Sequence, residues 1–306
     1  MKITVIGAGG SVGSPAAFYL ATQQLADEIV LIDYKKNLAK QHAMDLGTAV
    51  SAKGVSIRAG GYADLPGTDI VINAAGVPQG IIKDRLELLP PNADLIKSIA
   101  GEVKKHCPKA IIMTATNPED AMNYAMFLAG GFDRRQVLGY TINDSFRFRE
   151  FIASAYDVEV SSVEGYCIGE HGSSQVLLFS SVRIDGQSLQ VGEETKKSIY
   201  DKVPLILKGY EELKAGRTAG WSCAIGFEIM VRAVVEDTGA LVPCSAIVDG
   251  EYGRKGFSMS VPAVLGRDGI KSIQEFSLAP DEEDKLELST GILKQAARMV
   301  EKQILG

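Results

Sequence analysis

The sequence has few of the residues that build metal sites and covalent cross-links. Its 306 residues include four cysteines and three histidines, and no two cysteines form a Cys-x-x-Cys pair. This spacing argues against a zinc site, so we predict no bound metal. Widely spaced single cysteines are typical of buried thiols in a reducing compartment, which favours a cytoplasmic location.

Long apolar runs and an excess of positive charge are also absent. No apolar stretch approaches the roughly 18 residues that span a bilayer. The apolar start of the chain gives way to glycines after Ile6, so it is interpreted as a strand rather than a signal peptide. The chain has 32 Lys plus Arg against 38 Asp plus Glu, a net charge of −6. Nucleic acid and membranes are therefore not expected as partners.

The first half of the chain alternates short β-branched runs with helix-period segments. This alternation is typical of a parallel sheet buried between helices, and it predicts a doubly wound α/β (Rossmann) fold. The predicted strands are 3–6, 29–32, 55–59, 70–73, 110–114 and 136–138, and the predicted helices are 12–22, 36–48, 92–105, 118–129 and 144–156.

After about residue 142 the pattern changes to adjoining strand-like runs followed by helices. It predicts a second, mixed α+β domain, so we expect domains over residues 1–142 and 143–306. No Ser/Pro-rich linker separates them, which favours one rigid unit with a cleft between the two. The predicted strands here are 163–168, 176–179 and 181–184, and the predicted helices are 193–213, 221–237 and 281–304.

A glycine-rich turn follows the first predicted strand. Glycines at three-residue intervals let backbone approach a pyrophosphate at the start of a helix, although a turn needed only for tight packing would use them too. The second strand ends 20 residues after Gly13, at Asp33. Strand, turn, helix and acidic residue together form the dinucleotide-binding fingerprint, so residues 1–142 are predicted to bind a dinucleotide. The turn residues expected to surround the phosphates are Gly7, Gly10, Ser11, Val12 and Gly13.

Asp33 also bears on which dinucleotide binds. A carboxylate at this position can accept both ribose hydroxyls and repels a 2′-phosphate, which favours NAD over NADP. Lys35 and Lys36 follow closely and could serve such a phosphate. A pair of charges at the start of a helix is more often solvated, however, and NAD is therefore the predicted cofactor.

Each of the three histidines can be weighed as a catalytic group. His42 falls among polar residues in a predicted helix and His106 at a helix end, so both are interpreted as surface residues. His171 lies between glycines in a turn joining two predicted strands, where its imidazole could meet a ligand closely. A purely structural histidine in a turn would fit the local sequence equally well.

Three polar residues elsewhere could join His171. Asp144 and Arg147 are three apart at the start of a predicted helix and share one face, as a local surface ion pair would. Asn117 follows the fifth predicted strand and could either bind a ligand or cap a helix that has Pro118 in its first turn. All three are expected near the carboxyl end of the parallel sheet, where open α/β sheets bind ligands.

Five ordered motifs make the chain resemble the NAD-dependent lactate/malate dehydrogenases over almost its full length. The downstream half is most similar to the malate-type branch of bacteria and archaea. The resemblance implies NAD-linked, reversible oxidation of an L-2-hydroxy acid and assembly into a homodimer or homotetramer. The motifs are Gly7–Gly13 with Asp33, residues 75–78 leading to Arg85, residues 116–118, residues 144–149 and residues 169–172, with later matches at 250–253 and 261–262.

The resemblance gives the polar residues distinct catalytic roles. His171 would exchange the hydroxyl proton as the acid–base. Asp144 would hold the other imidazole nitrogen, fixing the tautomer and stabilising the cation. Arg147 would bind the substrate carboxylate through a planar fork that lysine cannot copy.

The resemblance also implies roles for residues that lie between the glycine turn and residues 144–149 in the sequence. Arg85, on the segment 79–91, would polarise the substrate carbonyl when that segment closes and excludes water. Asn117 would hydrogen-bond near the substrate oxygen, and Ala75 and Gly76 would pass along the cofactor.

Gln79 departs from the malate-type pattern that the downstream half otherwise resembles. The family's substrate choice depends largely on the residue six before the loop arginine, which is Arg in most malate enzymes and often Gln in lactate enzymes. A neutral amide leaves a buried second carboxylate without a counter-charge. The branch therefore makes a malate-type enzyme the leading expectation, although Gln79 favours a lactate-like or atypical substrate.

Three further departures bear on the site. Pro90 and Pro91 are expected to interrupt a helix and to alter the closing segment. Ser173 stands where the family usually places Asp, which removes a charge near the imidazole. Trp221 begins a helix that could line the substrate pocket, but packing in the core is its expected role.

Two other functions fit parts of the sequence. One is an NAD-dependent glycosidase on a related fold, although those chains are usually longer and need a metal. The other is a non-catalytic NAD-binding module, against which the retained polar residues of the five motifs count.

Overall fold

The parallel sheet predicted for the first half is present. The computed structural model describes residues 1–77, 88–213 and 219–306. Six strands run in the order β3-β2-β1-β4-β5-β6, and each neighbouring pair is parallel. Their β-branched residues are buried between helices on both faces, as in doubly wound sheets. The strands are β1 (Lys2–Ile6), β2 (Glu28–Ile32), β3 (Ser56–Ala59), β4 (Ile70–Asn73), β5 (Ile111–Thr114) and β6 (Val137–Gly139).

Eight α-helices are found in the described ranges. The third begins earlier than predicted, because Pro90 and Pro91 lie in its first turn, where a missing N–H costs nothing. The prolines thus mark the start of this helix, and the predicted interruption concerns the preceding segment, which lies outside the described residues. The helices are α1 (Gly13–Thr22), α2 (Lys36–Ala49), α3 (Leu89–His106), α4 (Glu119–Gly130), α5 (Ile142–Tyr156), α6 (Glu193–Glu212), α7 (Trp221–Val235) and α8 (Pro280–Leu305).

The predicted strand 163–168 is two short strands that belong to different sheets. The first pairs with β10 and the second with β9, both antiparallel. The chain passes Phe148 closely at Gly165, where a Cβ would lie 3.1 Å from the ring. Phe148 and Phe179 meet edge to face in a small separate core behind these strands. The strands are β7 (Val163–Glu164), β8 (Cys167–Ile168), β9 (Val176–Leu177), β10 (Arg183–Ile184) and β11 (Gln187–Ser188).

Three long strands that the sequence did not predict extend the parallel sheet. They are β12 (Leu241–Asp249), β13 (Lys255–Gly266) and β14 (Gly269–Ile273), and β12 lies antiparallel beside β6. Prolines argue against strands, but Pro243 and Pro262 lie opposite each other. The Pro262 carbonyl faces β14, accepting from Gln274 N at 2.8 Å. Its nitrogen faces the same side, so no β12–β13 hydrogen bond is lost.

The strand order places the motif residues together. The order reverses between β1 and β4, and residues that follow β1, β4 and β5 meet at their carboxyl ends. Crevices at such reversals bind ligands in open α/β sheets. The predicted α/β fold with a second mixed domain is confirmed. None of the helices in the described ranges is long and apolar enough to span a membrane.

Candidate active site

The turn after β1 allows another backbone segment or a ligand to approach closely. Gly7 has a φ of +83°, and a Cβ there would lie 2.6 Å from Ala75 N. Gly7 N donates to Ile32 O at 2.8 Å, and Gly10 N donates to Gly7 O at 3.0 Å. A Cβ at Gly13 would clash with the Gly7 carbonyl, so α1 can begin directly against the turn only with glycine there. Half-buried Ser11 and Val12 lead into that first turn.

Asp33 is held in place at the end of β2. Its Oδ2 accepts from Gly9 N at 2.8 Å, and its Oδ1 accepts from Lys35 N at 2.9 Å. Lys35 also lies over the Tyr34 ring, with Nζ 5.5 Å from the centroid. Each carboxylate oxygen retains a lone pair at the half-exposed edge of the turn, which suits ribose hydroxyls.

The segment after β4 passes the same turn. Thr116 Oγ1 donates to Ala75 O at 2.6 Å, and the amide of buried Asn92 accepts from Val77 N at 2.8 Å. Asn92 Nδ2 donates to Asn117 O at 2.7 Å, so α3, β4 and β5 are joined here. The half-buried Asn117 side chain makes no hydrogen bond to the described residues and remains available to a ligand.

These features together fit a dinucleotide. The glycine turn leaves no Cβ between the backbone and a pyrophosphate, and α1 directs its N-terminus at the same place. Ala75 and Gly76 form the opposite wall, with Gly76 exposed.

His171, Asp144 and Arg147 are brought together by one carboxylate. His171 Nδ1 lies 2.6 Å from Asp144 Oδ2, and Arg147 Nη1 donates to Asp144 Oδ1 at 3.2 Å. The Asp144 side chain is only 4% exposed, whereas those of His171 and Arg147 are 19% and 22% exposed. Asp144 and Arg147 therefore do not form the surface ion pair that their spacing would also allow. Asp144 is a buried carboxylate between His171 and Arg147, and both of these side chains reach solvent.

The loop that carries His171 is fixed by three different elements. Gly169, with a φ of +85°, forms a two-way backbone bridge with Ser260 of β13. Glu170 N donates to buried Ser289 Oγ of α8 at 2.8 Å. His171 N donates to Asp120 Oδ2 of α4 at 2.6 Å. The imidazole is therefore placed by contacts 51 to 119 residues away in the chain.

Sequence reasoning missed these supporting residues. Asp120 follows the Thr116-Asn117-Pro118 motif by two positions, which is the one local signal that could have identified it. Ser260 and Ser289 lie in segments with no polar motif, and β13 itself was not predicted.

Two neighbouring carboxyl groups at the start of α4 are buried behind the site. Burial raises the pKa of Asp120 to about 6, although hydrogen bonds from Ser245 Oγ and His171 N oppose the shift. Burial also raises the pKa of Glu119 well above 4.5, and the charge of Asp120 adds to this. Neither oxygen of Glu119 has a hydrogen-bond partner among the described residues. Burial therefore favours the neutral form of Glu119, whereas the two hydrogen bonds to Asp120 favour its ionised form.

The remaining sequence candidates have mixed outcomes. Arg85 and Gln79 lie outside the described residues. Trp221 is 68% exposed at the start of α7, so the prediction that it packs in the core is wrong. His42 is not a plain surface residue: it is half-buried, with Nδ1 3.3 Å from Ala8 O behind the glycine turn. Ser173 is exposed beside the imidazole loop.

The geometry agrees with comparisons to known proteins. The family model for the lactate/malate dehydrogenase NAD-binding domain matches residues 1–139, and that for the alpha/beta C-terminal domain matches residues 141–304. L-lactate dehydrogenase 1 of Clostridium acetobutylicum is 34% identical, covering 96% of this chain and 97% of the relative. A malate dehydrogenase of Haloarcula marismortui is also 34% identical, covering 92% and 94%.

A solved structure extends the likeness to three dimensions. The lactate dehydrogenase of Cryptosporidium parvum, complexed with lactic acid and nicotinamide adenine dinucleotide, superposes with a TM-score of 0.91 at 32% identity, covering 98% of each chain. The nicotinamide cofactor and the dehydrogenase class expected from the sequence are confirmed, and the glycosidase alternative is set aside. This chain belongs to the lactate/malate dehydrogenase family.

Proposed function

We propose that this NAD-dependent dehydrogenase interconverts an L-2-hydroxy acid and its 2-oxo acid with His171 as the acid–base. The observation that carries the proposal is the 2.6 Å contact between His171 Nδ1 and the buried Asp144 carboxylate. This contact fixes the tautomer and leaves Nε2 as the nitrogen that exchanges a proton with the substrate.

Each residue of the cluster has a step that its geometry supports. NAD, held by the glycine turn and Asp33, would supply the acceptor for the hydride that leaves the carbinol carbon. His171 removes the hydroxyl proton, and Asp144 stabilises the resulting imidazolium. Nη1 of Arg147 donates to Asp144, and the remaining N–H groups of the guanidinium can bind a carboxylate through two parallel hydrogen bonds.

The other proposed site residues come from the sequence and the edge of the sheet. Asn117 lies at the end of β5 with its amide available, and we assign it to the substrate oxygen and the cofactor. Arg85 is proposed to polarise the carbonyl. Gly7, Gly10, Ser11, Val12, Gly13, Asp33, Ala75 and Gly76 are proposed to bind NAD.

The substrate is proposed to lack a second carboxylate. The described side chains around His171 include the acids Asp120, Asp144 and Glu170, and Arg147 is the cation among them. Gln79 adds no charge. The distal carboxylate of a dicarboxylic acid would then be desolvated without a partner, which is costly.

A panel of 2-oxo acids tests both parts of the proposal. NADH oxidation is measured with pyruvate, longer monocarboxylic 2-oxo acids and oxaloacetate, for the wild type and Gln79→Arg. We expect the wild type to favour a monocarboxylic acid and the variant to shift kcat/KM toward oxaloacetate by about tenfold or more. A wild-type preference for oxaloacetate would support the malate-type alternative, and turnover of none would support a non-catalytic module.

We also propose that the chain self-associates as a dimer or tetramer. Helices α1 and α7 pack together and expose Phe18, Trp221 and Ile225, which are 40%, 68% and 40% exposed. Large apolar side chains close together on a surface are typical of interfaces.

The two family models meet near residue 140, which supports the proposed boundary between residues 1–142 and 143–306. The cytoplasmic location stays a prediction.

A further inference from the structure

A buried chain of hydrogen bonds ends at the backbone of His171. Asn123 Nδ2 donates to Ser258 Oγ at 3.0 Å, Ser258 and Ser245 share a hydrogen bond of 2.7 Å, and Ser245 Oγ donates to Asp120 Oδ1 at 2.5 Å. Asp120 Oδ2 then accepts from His171 N. All four buried side chains are at most 4% exposed.

The hydrogen bonds of this buried series can be assigned only one consistent donor direction. Asn123 gives an N–H to Ser258, and the Ser245 hydrogen is given to Asp120, so the Ser258 hydrogen is directed at Ser245. Every hydrogen therefore points toward Asp120, which accepts at both oxygens. A carboxyl group that only accepts is best satisfied when it is ionised.

We propose that Asp120 is a positioning residue for His171, holding the loop from inside the protein and stabilising the protonated imidazole with its charge. Asp144 acts on the ring at Nδ1, whereas Asp120 acts from behind through the His171 backbone N–H. The two carboxylates thus fix the position of the ring from different elements, α5 and α4. This inference rests on the proposed acid–base role of His171.

The charges that face Asp120 are few. The His171 loop contributes His171 and Glu170, and α4 contributes Glu119, whose neutral form is favoured by burial. On β12 and β13 the partners are the hydroxyls of Ser245 and Ser258, which do not titrate. Above pH 6 the ionised Asp120 is therefore a buried negative charge that contacts the His171 loop in addition to Asp144.

The test compares Asp120→Asn with Glu119→Gln. Both variants turn a buried carboxyl into an amide on the same helix, but of the two only Asp120 is hydrogen-bonded to the His171 loop. The measurement is the pH profile of kcat/KM for 2-oxo acid reduction, together with the NADH dissociation constant. Reduction needs the imidazolium, so activity falls as the pH rises through the midpoint of the profile.

For Asp120→Asn we expect the midpoint to move to lower pH by about 0.5 unit or more, because an attractive charge is lost. We also expect kcat to fall by about tenfold through poorer positioning. Glu119→Gln should keep the wild-type midpoint, and both variants should bind NADH like the wild type. An Asp120→Asn profile that coincides with the wild type, or an equal shift in Glu119→Gln, would overturn the proposal.

Two further variants keep the result interpretable. Ser245→Ala removes one hydrogen-bond donor from Asp120 but keeps the carboxyl, so we expect a smaller shift of the pH midpoint in the same direction. If Asp120→Asn does not fold, an unshifted midpoint in Ser245→Ala overturns the proposal. His171→Ala should lower turnover by at least about a hundredfold with NADH binding retained. If His171→Ala remains active, the proposed acid–base is wrong, whatever Asp120 does.

Discussion

Glu119 is an uncommon residue to find in a hydrophobic interior, since it is 3% exposed and has no hydrogen-bond partner in the described parts of the chain. Its carboxyl occupies the space beside Gly139, where no Cβ could fit. The sequence offered no reason to single it out, because a Glu in the first turn of a helix is ordinarily a solvated group that favours the helix dipole.

We predict that Glu119→Gln stabilises the fold increasingly as the pH rises. The folded-state pKa of Glu119 lies well above 4.5, so its contribution to stability is fully present below pH 4.5 and declines as the pH rises toward the folded pKa. The loss is about 1.4 kcal/mol per pH unit. Gln cannot ionise and escapes it.

The measurement is the free energy of unfolding in urea from pH 5 to 8. The difference between Glu119→Gln and the wild type should widen over this range, while the exposed control Glu159→Gln follows the wild type. A constant difference between variant and wild type would show that Glu119 ionises normally.

At the scale of elements, local pattern predicted the six parallel strands and all eight helices of the described ranges. Short motifs together with the family resemblance singled out His171, Asp144 and Arg147, and the structure brings these three side chains together. Local pattern could not predict β12 and β13, since their prolines are tolerated only because of how the two strands face each other. Asp120 was missed for a related reason: its hydrogen bond with His171 N joins residues that are 51 positions apart in the sequence.

The turn between β1 and α1 gives a prediction for a single element. Gly7→Ala places a Cβ against Ala75 N in a left-handed conformation, so we expect a lower melting temperature and at least about tenfold weaker NADH binding. Fluorescence titration with NADH and thermal unfolding measure the two effects. Gly101→Ala is the matched control, because its Cβ would meet nothing within 4 Å in α3; it should bind NADH normally and unfold no earlier. Normal NADH binding by Gly7→Ala would place the pyrophosphate elsewhere.

For the whole molecule, the apolar face of α1 and α7 predicts how copies associate. Trp221→Lys should shift sedimentation toward a smaller species, because a charge would be buried in the interface. Leu288→Lys, at a position 71% exposed on α8, is the control and should sediment like the wild type. If Trp221→Lys keeps the wild-type sedimentation coefficient, the interface lies on another face.

The antiparallel strands also limit what either half of the chain could do alone. A fragment ending near residue 142 would leave β6 as an open edge, with backbone groups that β12 normally covers. It would also bare the side of α4 that packs on β12, β13 and α8. The nucleotide-binding half is therefore not expected to be stable or active alone. The strands that complete its sheet also carry Ser260, which pairs with the His171 loop, and Ser245 and Ser258, which lie behind Asp120.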